Sequence, residues 1–408
     1  MQLKTLDEFV TPARIRNYSV MLVVAFTVGM VGWLLSMHAD VDAYGKPFGY
    51  DFITFYGQSV LALQGRAADA YLPLEILAAE QATIPADMAV YFWHYPPTFA
   101  LLTLPLALVP YKLAYTAFVG ASLALYLLTI RRISDHRWAT LLALAFPAVF
   151  LNAFHGQNGF LNAAVLGFGL LWLDRRPWLG GAVLGLLVYK PHFGVLLPLV
   201  FLVTGNWRAF AAASLSAGLF IAATFLVFGP APWIAFVHNM PLVSSLLEHA
   251  YLPWPKIPSW FVALSYLGVA RPAAYALHAA VALVLGAAML WAWRNPGAAE
   301  LKKALTVLAA LAVSPYMFDY DLTLLALPIA WVAEYGRRHV LPVGTKAALV
   351  LAFATPIVFT PIASAVHVQL MAPALLCVFI AVWRVFRASE AAAGVPLPAA
   401  RNLAPSPA

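Results

Sequence analysis

The chain has 408 residues, of which 63% are hydrophobic and only 10% charged, and its mean hydropathy is +0.82. A soluble domain carries about 25% charged residues, so this composition excludes an ordinary water-soluble protein and predicts an all-α, polytopic membrane protein. The net charge of +7 does not indicate nucleic-acid binding, because the basic residues form short clusters between apolar runs.

The first apolar run, residues 18–38, is long enough to span a membrane. No small-residue cleavage site follows it, so we interpret it as a span and not as a removable signal peptide. Several later runs are shorter than the ~20 residues that a straight span needs, as is typical of bundles that line a cavity. In all, about 12 spans are predicted: 18–38, 97–130, 138–154, 159–173, 178–189, 191–203, 209–228, 272–293, 304–318, 321–335, 345–362 and 366–384.

The segment 97–130 does not fit a single span, because a helix of that length would be ~50 Å long. Pro105 and Pro110 interrupt it. We therefore expect a short broken or re-entrant piece over 97–110 that leads into a helix over 112–130.

The arginine and lysine clusters predict the orientation of the chain. With a cytoplasmic N-terminus, 18 of the 24 basic residues lie inside, and the C-terminus is cytoplasmic as well. The outside then carries two long loops. The loop 39–95 has predicted interfacial helices at 52–64 and 73–82, and the loop 229–271 is rich in Pro and Trp, which favour the headgroup level.

The predicted membrane domain covers residues 1–388, and we expect the Ala- and Pro-rich tail 389–408 to be disordered. The single Cys377 excludes a disulfide framework. No phosphate-binding Gly-rich loop, HExxH motif or Cys cluster occurs, so no cofactor or metal site is predicted. An activated sugar, if one is used, should therefore be carried by a membrane lipid.

Asp51 is the first candidate for chemistry. It follows the first span and is surrounded by aromatic and aliphatic residues. Partial removal from water would raise the pKa of its carboxyl and make it a better general base. Asp51 also stands where the N-cap of a helix over 52–64 is expected, so a purely structural role stays open.

His94 and Tyr95 lie just before Pro96-Pro97, which fixes a rigid start for the next apolar segment. On the predicted outer side, their side chains can contact a sugar or a phosphate. Anchoring at the membrane interface is the alternative interpretation.

His155, Gln157 and Asn158 lie in a short turn between two apolar runs, again on the predicted outer side. Their side chains offer hydrogen-bond donors and acceptors that suit sugar hydroxyls. A plain polar turn explains the same residues equally simply.

Lys190 stands between two short apolar helices, where a charge is costly unless it is paired or faces a polar cavity. It is a natural phosphate partner, with His192 beside it, although its side chain can also extend to the surface. Asp319 and Asp321 join two further spans. They can bind a metal, or Asp321 can cap the helix over 321–335, which we favour; the role of Asp319 stays open.

Taken in order, these motifs resemble glycosyltransferase family 87, polytopic bacterial enzymes of the GT-C fold, over roughly residues 18–340. The matching pieces are Asp51-Phe52, Gly65 with Tyr71, Tyr95-Pro96-Pro97, Gly156-Gln157-Asn158, Lys190-Pro191, and Ser314-Pro315 before Asp319-Tyr320.

The resemblance implies a multi-pass enzyme of the bacterial inner membrane. Its members look like mannosyltransferases that take a sugar from a polyprenyl-phosphate donor and act at the periplasmic face. Asp51 would be the general base. The later loops are too variable to assign an acceptor from the resemblance, and we expect a glycolipid or a polysaccharide. Lys190 would match a basic residue of the family.

Two functions of other classes remain open on the sequence. A secondary transporter would also have many spans, but it usually places ionisable groups at mid-membrane in repeated halves. In this chain the ionisable residues cluster in the predicted outer loops, and no internal repeat is evident. A lipid-binding assembly subunit without transferase activity is the other alternative.

Overall fold

The computed structural model describes residues 7–393, and no β-strand occurs among them. Helices make up most of this range, which confirms the predicted all-helical membrane bundle. Six helices are long and apolar enough to cross a membrane: Pro12–Leu35, Tyr111–Ile133, Trp207–Phe228, Arg271–Arg294, Thr345–Val366 and Met371–Ala393.

Shorter helices fill the space between these six, and most are separated by Pro or Gly. The total of about 12 crossings stays a prediction. The shorter α-helices are Phe52–Leu63, Pro73–Thr83, Pro97–Thr103, Ala139–Ala145, Pro147–His155, Gly159–Trp172, Pro177–Gly185, Leu197–Val203, Ala231–Glu248, Trp260–Tyr266, Ala299–Val313 and Ala326–Gly336. Short 3₁₀ turns occur at Asp69–Tyr71, Leu104–Leu108, Leu186–Tyr189, Pro191–Phe193, Trp254–Lys256 and Asp319–Leu325.

The long segment 97–130 is divided as the sequence predicts. A helix over Pro97–Thr103 continues as a 3₁₀ turn over Leu104–Leu108 and ends there. Pro110 then precedes the helix Tyr111–Ile133. The break follows from the prolines, which fix φ and remove backbone donors.

The first loop differs from its expected form. The helix Phe52–Leu63 does not lie with one face on lipid, because nine of its twelve residues are buried by other parts of the protein. The helix Pro73–Thr83 packs on it and keeps an exposed leucine, Leu74, at its start. Phe52–Leu63 is thus part of the core that carries the residues around Asp51.

The Pro- and Trp-rich loop 229–271 contains an 18-residue helix, Ala231–Glu248, which the sequence analysis did not predict. Pro232 lies in its first turn, where a missing backbone donor is tolerated. Pro241 lies inside the helix and costs one hydrogen bond. The prolines therefore mark the start and an irregularity of a helix in this loop.

The bundle has two chemically different ends, joined by the helix Tyr111–Ile133, which is ~34 Å long. Its first residue donates a hydrogen bond to the Phe48 carbonyl beside Asp51, and Asp135, just beyond its last turn, pairs with Arg337. The basic clusters therefore gather at the end opposite Asp51, where further ion pairs join Lys303 to Asp174 and Arg338 to Glu300.

The last helix extends into the segment 389–408, which the sequence predicted to be a disordered tail. The last helix, Met371–Ala393, includes the first five residues assigned to the tail. Ser389 is buried and accepts a hydrogen bond from the Ala298 amide, which explains the longer helix. Residues 394–408 lie outside the described part of the chain.

Candidate active site

Asp42 organises the loop that leads to Asp51. One carboxylate oxygen accepts hydrogen bonds from the amides of Tyr44 and Lys46, and the other accepts from the Trp33 indole and the Tyr50 hydroxyl. Tyr50 has a φ of +42°, a conformation that costs energy for a residue with a side chain. The Tyr50 hydroxyl bond to Asp42 helps to hold this turn in place.

Asp51 occupies the N-cap position of the helix Phe52–Leu63 but does not cap it. Its backbone is helical, with φ −69° and ψ −16°, and its side chain accepts no hydrogen bond from the first turn. A capping side chain normally requires an extended backbone at this position. The structural alternative for Asp51 is therefore wrong, and the carboxylate is free for other contacts.

Gly156 brings the second polar turn against Asp51. Its φ is +60°, and a Cβ atom at this position would come within 2.5 Å of the Phe52 Cβ and 3.0 Å of the Gly49 carbonyl oxygen. Only glycine meets both conditions. This close approach places His155 and Gln157 against the carboxylate of Asp51, two residues after Gly49.

One oxygen of the Asp51 carboxylate is held by two side chains. Oδ2 lies 3.3 Å from His155 Nδ1 and accepts a hydrogen bond of 3.1 Å from Gln157 Nε2. Within residues 7–393, no hydrogen bond reaches Oδ1, and 26% of the Asp51 side chain is exposed. The carboxylate is thus fixed on one side and open on the other.

Lys256, which the sequence analysis did not name as a site residue, comes from the loop 229–271. Its Nζ lies 3.3 Å from His155 Nε2. Because an ammonium group only donates, His155 Nε2 accepts, and Nδ1 then carries the proton that it donates to Asp51. The three side chains form one hydrogen-bonded chain.

The pKa of Asp51 is lowered, whereas the sequence analysis expected it to be raised. Burial alone does raise the pKa of this carboxyl. His155, Lys256 and Gln157 together stabilise the ionised form by more than burial disfavours it. Asp51 is therefore fully ionised at neutral pH, ready to accept a proton.

A second polar cluster begins one residue after Gln157. Asn158 Oδ1 accepts hydrogen bonds from Lys190 Nζ at 3.0 Å and from Asn162 Nδ2 at 2.9 Å. Lys190 Nζ also lies 2.6 Å from Asp321 Oδ1, and both side chains are buried. The preferred role of Asp321 as a helix cap is therefore wrong, because its carboxylate is the counter-ion of Lys190.

Tyr95 links the two clusters to the first loop. Its hydroxyl donates to Gln157 Oε1 at 3.0 Å, and the Asn158 amide donates to the same oxygen at 3.2 Å. The Tyr71 hydroxyl holds the Tyr95 carbonyl at 2.7 Å. Gln157 is oriented by these contacts, since its oxygen is occupied and its nitrogen must face Asp51.

Three expected site residues lie outside this network. His94 Nδ1 contacts Asn239 Nδ2 at 3.3 Å, and burial lowers the pKa of His94 to about 4, so it is neutral. His192 packs on Phe193. Asp319 is buried and accepts a hydrogen bond from the Tyr320 amide, without contact to Asp51.

The carboxylates Asp319 and Asp321 do not form a metal site. Within residues 7–393, no group of three or more His, Cys, Asp or Glu side chains is placed to hold a metal ion. The first of the two carboxylates binds a neighbouring amide and the second binds Lys190. The alternative of metal binding by this pair is therefore not supported.

The segment that carries Lys256 is fixed from the far end of the chain. Gln369, in the turn before the last helix, donates a hydrogen bond of 2.9 Å to the Ile257 carbonyl. On the other side, Ser259 caps the helix Trp260–Tyr266 by accepting from the Val262 amide. Lys256 is thus held beside His155 by contacts from two directions.

Comparison with known proteins identifies the family. No curated protein and no solved structure matches the chain. The family model for glycosyltransferase family 87 matches residues 93–315, which is more than half of the chain and includes His155, Gln157, Lys190 and Lys256. Asp51 lies before the matched range but is joined to it through His155 and Gln157. The chain therefore belongs to glycosyltransferase family 87 and is a polytopic membrane glycosyltransferase.

Proposed function

We propose that the protein transfers a mannose residue from a polyprenyl-phosphate donor to a glycolipid or polysaccharide acceptor, with Asp51 as the general base. The observation that carries this proposal is the asymmetric Asp51 carboxylate, whose Oδ2 is held by His155 and Gln157 while Oδ1 is open. Membership of a glycosyltransferase family favours this function over a transporter or an assembly subunit.

In the proposed reaction the acceptor hydroxyl lies against Asp51 Oδ1. Its oxygen attacks the anomeric carbon while the bond from that carbon to the phosphate oxygen breaks. The hydroxyl proton passes to Asp51, and the electron pair of the broken bond leaves with the phosphate. Direct displacement inverts the anomeric configuration. The leaving phosphate is already an anion, so no general acid is needed.

His155 and Lys256 support this role through charge. A hydroxyl becomes acidic only as its oxygen bonds to carbon, so a base of low pKa accepts the proton late in the step. His155 keeps the carboxylate in one orientation, as its Nδ1–H faces Oδ2. His155 in turn contacts the Lys256 ammonium through Nε2, so its ring is held from both sides and Asp51 Oδ1 is the open proton acceptor.

We propose further that this site faces the periplasm of a bacterial inner membrane, with both termini in the cytoplasm. The ion-paired basic clusters lie at the end of the bundle opposite Asp51. Basic residues accumulate on the cytoplasmic side of membrane proteins, which supports this orientation.

The test is the Asp51→Asn variant, assayed for transfer of radiolabelled mannose from a polyprenyl-phosphate donor into a membrane acceptor. General-base catalysis contributes about 10²- to 10⁴-fold, so we expect a loss of that size. Because the Asp51 side chain caps no helix, thermal stability in detergent should stay near that of the wild type.

Asp40→Asn is the matched control, because Asp40 lies in the same loop but its side chain is 39% exposed and pairs with Lys112. It should leave transfer unchanged. Asp51→Glu should retain little activity, since a shift of about 1 Å costs on the order of 100-fold. Near-normal transfer by folded Asp51→Asn protein would reject Asp51 as the base.

A further inference from the structure

An apolar groove of about 400 Å³ lies on the outer surface of the bundle. It runs between the helices Trp260–Tyr266, Arg271–Arg294 and Met371–Ala393. Its lining is almost entirely hydrocarbon and includes Trp260, Leu264, Leu277, Ala280, Val284 and Leu376. Leu277 and Val284 are 49% and 65% exposed, so the groove is open sideways to the surroundings of the bundle.

The groove begins next to the candidate active site. Trp260 follows Lys256 by four residues, so their Cα atoms are at most about 14 Å apart. A second, small cavity has Pro258 and Ser259 in its wall and shares Trp260 with the groove. The end of the groove at Trp260 is therefore carried by the same short segment of chain as Lys256.

The groove continues away from the site along the helix Arg271–Arg294, from Leu277 to Leu285. The eight residue steps from Leu277 to Leu285 correspond to ~12 Å along the helix axis. That helix starts at the end of the loop 229–271, on the Asp51 end of the bundle. The groove thus points from the site toward the middle of the apolar layer.

Lys256 supplies the positive charge at the mouth of this path. Lys190 also lies near the site, but its charge is compensated by Asp321 at 2.6 Å, and it is buried. Lys256 is partly exposed and forms no salt bridge with a carboxylate within residues 7–393. An arriving phosphate would therefore meet an ammonium without a direct carboxylate partner at Lys256 and a directly paired one at Lys190.

We propose that the lipid-phosphate donor lies along this path, with its phosphate at Lys256 and its apolar chain in the groove from Trp260 to Leu285. The proposal rests on the proposed function, because it assigns the donor of that same transfer reaction. It places the anomeric carbon close to the Lys256–His155–Asp51 chain. It also moves the expected phosphate contact from Lys190 and His192 to Lys256.

The experiment compares a long-chain and a short-chain donor that carry the same sugar phosphate. Ala280→Trp fills the groove from an exposed position. We expect it to raise the KM for the long-chain donor roughly tenfold, a change of about 1.4 kcal/mol, and to leave the short-chain donor unaffected. Ala279→Trp is the matched control, because Ala279 is the exposed neighbour on the same helix but does not line the groove.

Lys256→Gln tests the phosphate half of the path. A lost charge-assisted hydrogen bond should raise the KM for both donors by roughly 10- to 100-fold, and Lys256→Arg should recover much of it. Arg271→Gln, an exposed basic residue of the same loop region, should change neither value.

The outcomes separate the two proposals. If Ala280→Trp changes the KM for both donors equally, or for neither, the groove is not the site of the lipid chain. A Lys256→Gln variant that lowers kcat alone would show that Lys256 acts only through His155 and would overturn the phosphate contact. A wild-type protein that uses neither donor would refute the proposed function itself.

Discussion

Glu80 gives the sharpest quantitative test of the structure. It lies in the helix Pro73–Thr83 and its exposed fraction is 0%. Oε2 accepts a hydrogen bond of 3.1 Å from the Tyr91 amide, and Oε1 has no partner in the part of the chain that the structure describes. Burial raises the pKa of Glu80 from 4.5 to about 8, and the hydrogen bond from Tyr91 offsets only part of this.

The stability of the protein should therefore depend on pH through Glu80. Between pH 4.5 and 8 the folded protein holds a proton that the unfolded chain has released, so raising the pH favours unfolding. Below this window the two states bind the proton alike, and above it the difference is constant. At 1.36 kcal/mol per pKa unit, the shift corresponds to on the order of 5 kcal/mol.

The perturbation is Glu80→Gln, which stays neutral and can still accept a hydrogen bond from the Tyr91 amide. At pH 5 the variant and the wild type should have similar thermal stability in detergent. Toward pH 9 the variant should become the more stable protein, by a Tm difference on the order of 5 °C, if the unfolding entropy per residue resembles that of soluble domains.

Glu75→Gln is the control on the same helix. The Glu75 side chain is 43% exposed and pairs with Arg66, so its removal should change stability little and by the same amount from pH 5 to pH 9. Parallel stability curves for Glu80→Gln and the wild type over this range would refute the assignment of a neutral, buried Glu80.

Three further predictions concern the core, the turn and the orientation. Lys190→Met should lower the free energy of unfolding by about 3–5 kcal/mol, because it leaves Asp321 buried without a counter-ion. Adding Asp321→Asn should restore most of the lost stability. Equal stability of the single and double variants, measured by thermal unfolding, would contradict this. Gly156→Ala should lower the kcat/KM for sugar transfer at least tenfold, since the new Cβ displaces the turn from Asp51. An unchanged kcat/KM would contradict this prediction. In a Cys377→Ser background, a cysteine at the exposed Ala43 should react with an impermeant thiol reagent on intact cells; labelling only after the inner membrane is permeabilised would reverse the proposed orientation.

The helices could be predicted from the sequence because the features that determine them are local. Apolar run length, prolines and glycines are readable along the chain, and they predicted the break between 97–110 and the helix 112–130. The same features gave a wrong prediction at Ala231–Glu248, where the density of Pro and Trp indicated an irregular loop. Two of its prolines lie at the helix start, where they are compatible with helical structure.

The site was predictable only in part, because its energetics are set by contacts between distant segments. Asp51, Gln157 and Lys190 could be named from their unusual settings. The pKa direction of Asp51 depends on His155 and Lys256, about 100 and 200 residues away in the chain, and the partner of Lys190 is Asp321. The available indication for that pairing was that Asp321 and Lys190 are both charged residues in apolar surroundings.

If the donor follows the proposed path, the hydrogen bond from Gln369 to the Ile257 carbonyl gives the last two helices a part in donor binding. The family match ends at residue 315, and a chain cut after residue 336 would keep every side chain that contacts Asp51. It would nevertheless release the segment next to Lys256 and remove one wall of the apolar groove. On the proposed donor path, we expect sequence variation in the C-terminal helices to change donor selection while the chemistry at Asp51 stays the same.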